Sequence, residues 1–133
     1  AFNDMKFDKI LADVPCSGNY VLEKDWFKKQ TLINFKKRAE LQKEILKNMF
    51  SLLNTNGALV YSTCSLEPEE NEFIMDWALE NFNVRMQKIN SVGDNGIVTP
   101  FGQRLNDEVR KAKRLWPYKT KTQGFFVAKL VKK

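Results

Sequence analysis

The sequence predicts an α/β fold, a sheet crossed by helices. Two observations carry this. Short apolar runs that suit strands occur at residues 7–14, 58–62, 84–89 and 125–131. Stretches with helical spacing of apolar side chains fill the first two intervals. Strand and helix therefore alternate, as they do when crossover helices cover a sheet containing parallel strands. The 133 residues suffice for one domain of about 100–150 residues, and no internal repeat or Gly/Ser/Pro linker divides them.

Residues 7–14 (FDKILADV) read as a mostly buried strand that stops at Pro15, which cannot donate to a ladder. Ser17-Gly18-Asn19 follows as a loop. Residues 35–53 read as an amphipathic helix. Leu41, Ile45 and Met49 recur every fourth residue, and Leu46, Phe50 and Leu53 fill the same face. Asn54-Thr55-Asn56-Gly57 ends it. Residues 58–62 (ALVYS) form the second strand, with Thr63-Cys64-Ser65 directly after it. A second helix starts at Pro68, a favourable first-turn residue, with Glu67, Glu69 and Glu70 complementing the N-terminal dipole. Phe73, Ile74, Trp77 and Ala78 supply its apolar face, while Glu69 and Glu72 are expected on its solvated side. Residues 84–89 form the third strand and residues 91–123 an irregular segment. Residues 125–131 (FFVAKLV) form the last strand.

Composition narrows the chemistry. Apolar residues make up 43% and charged residues 29%, the balance of a folded protein. No apolar run reaches the roughly 18–20 residues of a membrane span. The first residues lack the plan of a signal peptide, and no membrane partner is expected. The chain contains no His. That removes Ser-His-Asp catalysis, Cys-His catalysis and His-ligated metal sites from within it. Two Cys cannot complete a tetrahedral zinc site, so no metal is expected. Chemistry is left to Cys, Asp, Glu, Lys, Tyr or Arg. Two cysteines are also too few for a disulfide-stapled secreted scaffold, which points to a reducing, cytoplasmic setting with free thiols. The net charge of +6 is uneven: residues 109–133 carry nine Lys/Arg and no acid, and the remainder sums to −3. One basic end suits a polyanion, RNA or DNA, and equally suits a solvated tail.

In open α/β sheets, ligands sit beyond the carboxyl ends of the strands. Asp13-Val14-Pro15-Cys16-Ser17-Gly18 closes the first strand, and Ser62-Thr63-Cys64-Ser65 closes the second. If these strands are neighbours, both thiols and the Asp13 carboxylate face one crevice. A single Cys is commonly a small core residue. Two at equivalent strand ends, one beside Asp and Pro, make a reactive pair the sharper reading. DVPCSG, then YSTCSLEPEENE after a Gly-Ala-Leu-Val strand, then RLWPY and GFFVAKL, stand in an order and spacing that resembles the Nop/Sun family of RNA cytosine-5 methyltransferases. The resemblance covers nearly the whole chain. Val14 stands where that family usually has Ala, and Tyr118 where it often has His.

The resemblance implies the C-terminal half of a Rossmann-like class I methyltransferase sheet: strands four to seven, ordered 4-5-7-6, with the last antiparallel. It implies S-adenosylmethionine as cofactor, touched by Asp13 and Pro15, and ribosomal or transfer RNA as partner. It implies Cys64 as the nucleophile at carbon 6 of cytosine. Asp13 would hold the base edge and assist protonation at ring nitrogen 3, and Cys16 is linked to product release. The reverse assignment, with Cys16 attacking as in similar DNA enzymes, stays open. Arg114, Trp116 and Pro117 are expected to frame the base, although Trp116 suits ordinary packing equally. Lys111, Lys113, Lys119 and Lys121 are expected to meet phosphates. The six Gly include no Gly-x-Gly pair. Residues 1–133 are therefore expected to be a partial catalytic domain that lacks a cofactor loop. Its first strand would be an open edge for a missing N-terminal half or another chain. Two other classes remain: an RNA-binding module without catalysis, and a dithiol redox module, which the lack of a CxxC arrangement disfavours.

Overall fold

The computed structural model describes residues 4–133. In chain order its elements are β1 (Phe7–Asp13), α1 (Trp26–Lys29), α2 (Leu32–Leu52), β2 (Leu53–Thr63), α3 (Glu72–Asn81), β3 (Val84–Gln87), β4 (Asp94–Asn95), β5 (Lys113–Leu115), α4 (Pro117–Thr120) and β6 (Phe125–Lys132). β1 and β2 run parallel, with Asp13 level with Ser62. β6 lies antiparallel on the other side of β2. The far edge of β6 is shared: β3 pairs with its C-terminal half and β5 with its first residues. The path β1-β2-β6-β3 is the expected 4-5-7-6 order with an antiparallel last strand. β4 continues the sheet beyond β5. Neither strand, nor α4, was expected within 91–123, because segments of two to four residues leave no hydrophobic period to read.

The helices cover one sheet face. Ala12, Leu59, Tyr61, Phe126, Ala128 and Leu130 are buried there with Leu46 and Phe50 of α2 and Ile74 and Ala78 of α3. α2 starts earlier than its apolar spacing suggests, because the Thr31 side chain accepts the Asn34 N–H and caps it. Its buried row is Ala39, Gln42, Leu46 and Phe50. The expected Leu41–Ile45–Met49 row lies at the margin, with Leu41 exposed. The free carbonyls at the end of α2 are satisfied by lysines. Lys132 Nζ donates to Phe50 O and Leu53 O at 3.0 and 2.9 Å, and Lys6 Nζ donates to Ser51 O.

Three expectations need correction. Residues 54–57 do not merely stop the helix. They are drawn into β2, and the ladder with β1 slips between Phe7 and Lys9 to absorb them, with Asn56 at φ 63°. Pro68–Glu70 form a 3-10 turn, so α3 begins only at Glu72. That shift turns Glu72 into the interior, where it is fully buried, and leaves Glu69 half-buried. Glu72 does not face solvent as the sequence suggested, and Glu69 does so only in part.

β1 is an edge of the sheet among the described residues, and Leu11 on it is 70% exposed. A charge on such a strand blocks edge-to-edge pairing. Leu11→Lys should change stability by less than about 0.5 kcal/mol and should lower any self-association seen by sedimentation. A dimer that persists in the variant would remove this edge as its cause.

Candidate active site

The parallel register of β1 and β2 brings the two sequence motifs to one level. Val14 N–H extends the ladder to Ser62 O at 3.1 Å, and Ser62 Oγ donates to Asp13 Oδ1 at 2.8 Å. Three residues past the end of β1 and one past the end of β2, Cys16 Sγ and Cys64 Sγ meet at 2.7 Å, both as free thiols. The structure therefore brings Cys16, Cys64 and Asp13 into one neighbourhood, as neighbouring strands require.

What holds the two loops together is a buried carboxylate. Glu70 accepts from Ser17 N–H at 2.9 Å and from Ser17 Oγ at 2.5 Å, both on the first loop. It accepts from Ser65 Oγ at 2.7 Å on the second loop. Gln42 Nε2 donates to it at 3.0 Å from α2 and also to Pro15 O at 2.9 Å. Asn19 is a second clamp: its Nδ2 donates to Cys64 O at 2.7 Å and to Gln123 O at 2.8 Å. Trp26 Nε1 donates to Ser17 O at 2.9 Å, which is how the short α1 closes the first loop. Tyr61 Oη donates to Glu70 O at 2.6 Å and fixes the turn that carries the carboxylate.

The thiol pair shares one hydrogen bond. The Cys64 S–H, with the Gly18 backbone assisting, stabilises the Cys16 anion against burial and the nearby Glu70, and Cys16 falls to about 6. The same bond, reinforced by burial, pushes Cys64 up. The pair thus loses its first proton readily and holds its second.

The predicted RNA-facing residues divide. Arg114 is only 1% exposed. Its Nε and Nη2 donate to the two Glu72 oxygens at 2.5 and 2.6 Å, and its Nη1 donates to Leu66 O at 2.8 Å. It stacks on Trp116, 4.9 Å from the ring centroid. It is a buried cation with its charge paired inside the fold. Arg114 and Trp116 do line a cavity of about 310 Å³ together with Tyr20, Phe27 and Phe101, an aromatic setting suited to a base. Pro117 opens α4 and packs on Gly124. Lys119 pairs with Asp94, while Lys121 is exposed in the left-handed region at φ 56°. Among the described residues, no lysine of the basic end makes a hydrogen bond to either thiol. Beside Cys16 instead lies a cleft of about 600 Å³ lined by Gln30, Asn34, Lys37 and Arg38. Gln42, Asn19 and Glu70 were missed as positioning residues. The only visible signal was a Gln standing within the apolar row of α2.

Residues 1–131 match the family of 16S rRNA methyltransferases RsmB/F. The chain belongs to that family. It is 37% identical to a mouse 28S rRNA (cytosine-C(5))-methyltransferase over 95% of its length, which is 17% of that protein. It is 32% identical to a tRNA (cytosine(49)-C(5))-methyltransferase of Pyrococcus abyssi, covering 95% of the chain and 42% of the relative. Among solved structures, a methyltransferase homolog from Pyrococcus horikoshii is 42% identical with a TM-score of 0.88, over 98% of this chain and 40% of that one. NSun6 of the same organism, crystallised with SFG, is 32% identical with a TM-score of 0.79, over 96% of this chain and 30% of that one. The chain thus spans less than half of each of these relatives. The expected Rossmann-like methyltransferase architecture and the Nop/Sun resemblance both stand.

The shared bond sets a pH signature. Iodoacetamide alkylation of Cys16 should reach half its maximal rate near pH 6, the value at which Cys64 S–H holds its anion. Cys64→Ala removes that donor, so the midpoint should rise toward about 8.5, the free-thiol range. An unmoved midpoint would mean that Cys64 does not carry the effect. Separately, Glu72→Ala strands the Arg114 guanidinium without its partner and should cost about 3–5 kcal/mol in urea unfolding. A loss below 1 kcal/mol, on the order expected of an exposed pair, would show that Arg114 finds water instead.

Proposed function

We propose that residues 1–133 are the thiol-bearing part of an RNA cytosine-5 methyltransferase domain acting on rRNA or tRNA. The observation that carries the reading is the contact of Cys16 with Cys64, beside Asp13, at the carboxyl ends of two parallel strands. Carbon 5 of cytosine is a poor nucleophile until a thiolate adds to carbon 6. As a base enters, the Cys64 proton passes along the S–H···S bond to the Cys16 thiolate, leaving Cys64 as the attacking anion. Its sulfur bonds to carbon 6, and the 5,6 double bond yields its electron pair toward carbon 5 and the N3–C4 edge. Asp13 holds that edge and assists proton delivery to N3.

Asp13 and Pro15 are both exposed at the end of β1 and fit one side of S-adenosylmethionine. When bound, that cofactor supplies an electrophilic methyl to carbon 5. Product release then needs a base for the carbon 5 proton. Cys16, acidic enough to have returned its proton to solvent, takes the carbon 5 proton. The electron pair restores the ring double bond, Cys64 leaves as thiolate, and the N3 proton is given back by way of Asp13. This chemistry needs free thiols, so we place the protein in a reducing compartment. The remaining walls of the cofactor site, including a Gly-rich loop, are assigned to the rest of the catalytic domain, docked along β1.

In the intact protein, Cys64→Ala should abolish both methyl transfer and covalent adduct on RNA containing 5-fluorocytosine. Cys16→Ala should instead accumulate adduct with ordinary RNA, seen as a shifted band on a denaturing gel. Adduct with Cys64→Ala and none with Cys16→Ala would reverse the two roles. RNA binding with no adduct in the unaltered protein would favour a binding module.

A further inference from the structure

The cations of the basic end are largely engaged by their own chain. Lys111 binds Glu108 and Met86 O, Lys113 binds Asn95 and Lys119 binds Asp94. Arg114 binds Glu72, and Lys132 closes the end of α2. A phosphate arriving there has to displace a partner at most positions. The cleft beside Cys16 is different. Its wall is the first part of α2, which presents Asn34, Lys37 and Arg38 toward the loop that carries the thiol. Lys37 and Arg38 are both exposed, and neither side chain has an ion pair or hydrogen bond among the described residues. The carboxylate on the rim, Glu23, is held by Lys29. The cleft therefore brings two cationic side chains without an intrachain partner and the Cys16 thiol into one concavity of about 600 Å³. That volume is within the range of about 300–1,000 Å³ that takes a ligand of nucleotide size.

We propose that this cleft holds the phosphodiester backbone of the RNA strand that delivers its base to the thiol pair, with Lys37 and Arg38 each meeting a phosphate. The inference rests on the methyltransferase reading and adds the surface that positions the substrate. A phosphate here displaces no intrachain partner of Lys37 or Arg38, because the rim carboxylate of Glu23 is paired with Lys29. The Arg38 guanidinium adds a fork that matches two phosphate oxygens. Asn34 and Gln30 supply side-chain amides for phosphate or sugar oxygens, the contacts that set register without reading sequence. Cations sharing the cleft with the thiol act on how the target nucleotide sits, whereas lysines at the far basic end do not.

The test compares Lys37→Gln/Arg38→Gln with the unaltered intact protein, measuring RNA affinity between low and physiological salt. Each phosphate contact contributes about 0.7 (single strand) to 0.9 (duplex) to the log–log salt slope, so the double variant should lose about 1.4 to 1.8. The loss should be the same on every sequence, with affinity for S-adenosylmethionine unchanged. Lys47→Gln, further along α2 in a different cavity, should leave the slope as it was. An unchanged slope in the double variant overturns the assignment, and so does an equal loss with Lys47→Gln. A fall in S-adenosylmethionine affinity with unaltered RNA binding also overturns it, and makes the cleft part of the cofactor side. Trapping the unaltered protein on 5-fluorocytosine RNA separates the failures. Adduct with an unchanged slope overturns the cleft alone, whereas no adduct overturns the reading beneath it.

Discussion

The Glu70 carboxylate is the constraint on which the site depends. It is fully buried, and burying a charge costs several kcal/mol unless hydrogen bonds replace the lost water. Here the replacements come from three separate pieces of chain: Ser17 after β1, Ser65 after β2, and Gln42 in α2. Each such bond to a charged group is worth on the order of 1.5–3 kcal/mol. No one segment can satisfy the carboxylate alone, so the loops can settle only together. The contact of Cys16 with Cys64 follows from that demand. The two thiols sit one residue before Ser17 and one before Ser65, and they move with the serines that the carboxylate holds.

The same logic operates one turn further along. Pro68 imposes a 3-10 turn, which advances the chain so that Glu70 and Glu72 both point inward. Glu72 meets Arg114 in a two-pronged pair and also accepts Ile97 N–H at 3.0 Å. The start of α3 is thereby tied to the long segment between β3 and β6. Its tie to β5 places Trp116 and the aromatic cavity beside the second thiol loop. Two acids two residues apart thus do different work. Glu70 joins the thiol loops to each other, and Glu72 joins them to the wall of the aromatic cavity.

The long elements and their order were legible in the sequence because the signals repeat. β1, β2 and β6 are apolar runs, and the sheet order follows from the resemblance carried by DVPCSG and STCS. The misplaced features have local causes. α2 buries Gln42 instead of continuing the Leu41 row, since a polar group is needed beneath Pro15 and Glu70, and no periodicity signals such a need. α1, β4, β5 and α4 are two to four residues long and exist through their tertiary partners. Glu72 looked solvated because a run of acids usually is. Its partner lies 42 residues away, a separation that sequence spacing does not encode. At the basic end a count of charges also leaves out their pairing: Lys111 meets Glu108 and Lys119 meets Asp94.

That distinction between total and uncompensated charge also explains how the site is divided. The thiol side is closed by this chain's own groups, with Asn19, Trp26 and Gln42 saturating the loop backbone around it. Asp13 and Pro15, on the same strand end, point outward and are exposed. Thiol acidity is therefore set locally, by one S–H···S bond and the Gly18 backbone, and does not await whatever encloses the Asp13 side. On the proposed reading, the acceptor for the Cys64 proton is therefore in place before any base arrives. On that reading Cys64 ionises only as its proton passes to Cys16, so selectivity rests on the placing of the base that draws the proton across. The surfaces proposed for that placing are the aromatic cavity, for the ring, and the cleft whose Lys37 and Arg38 side chains have no ion pair or hydrogen bond among the described residues.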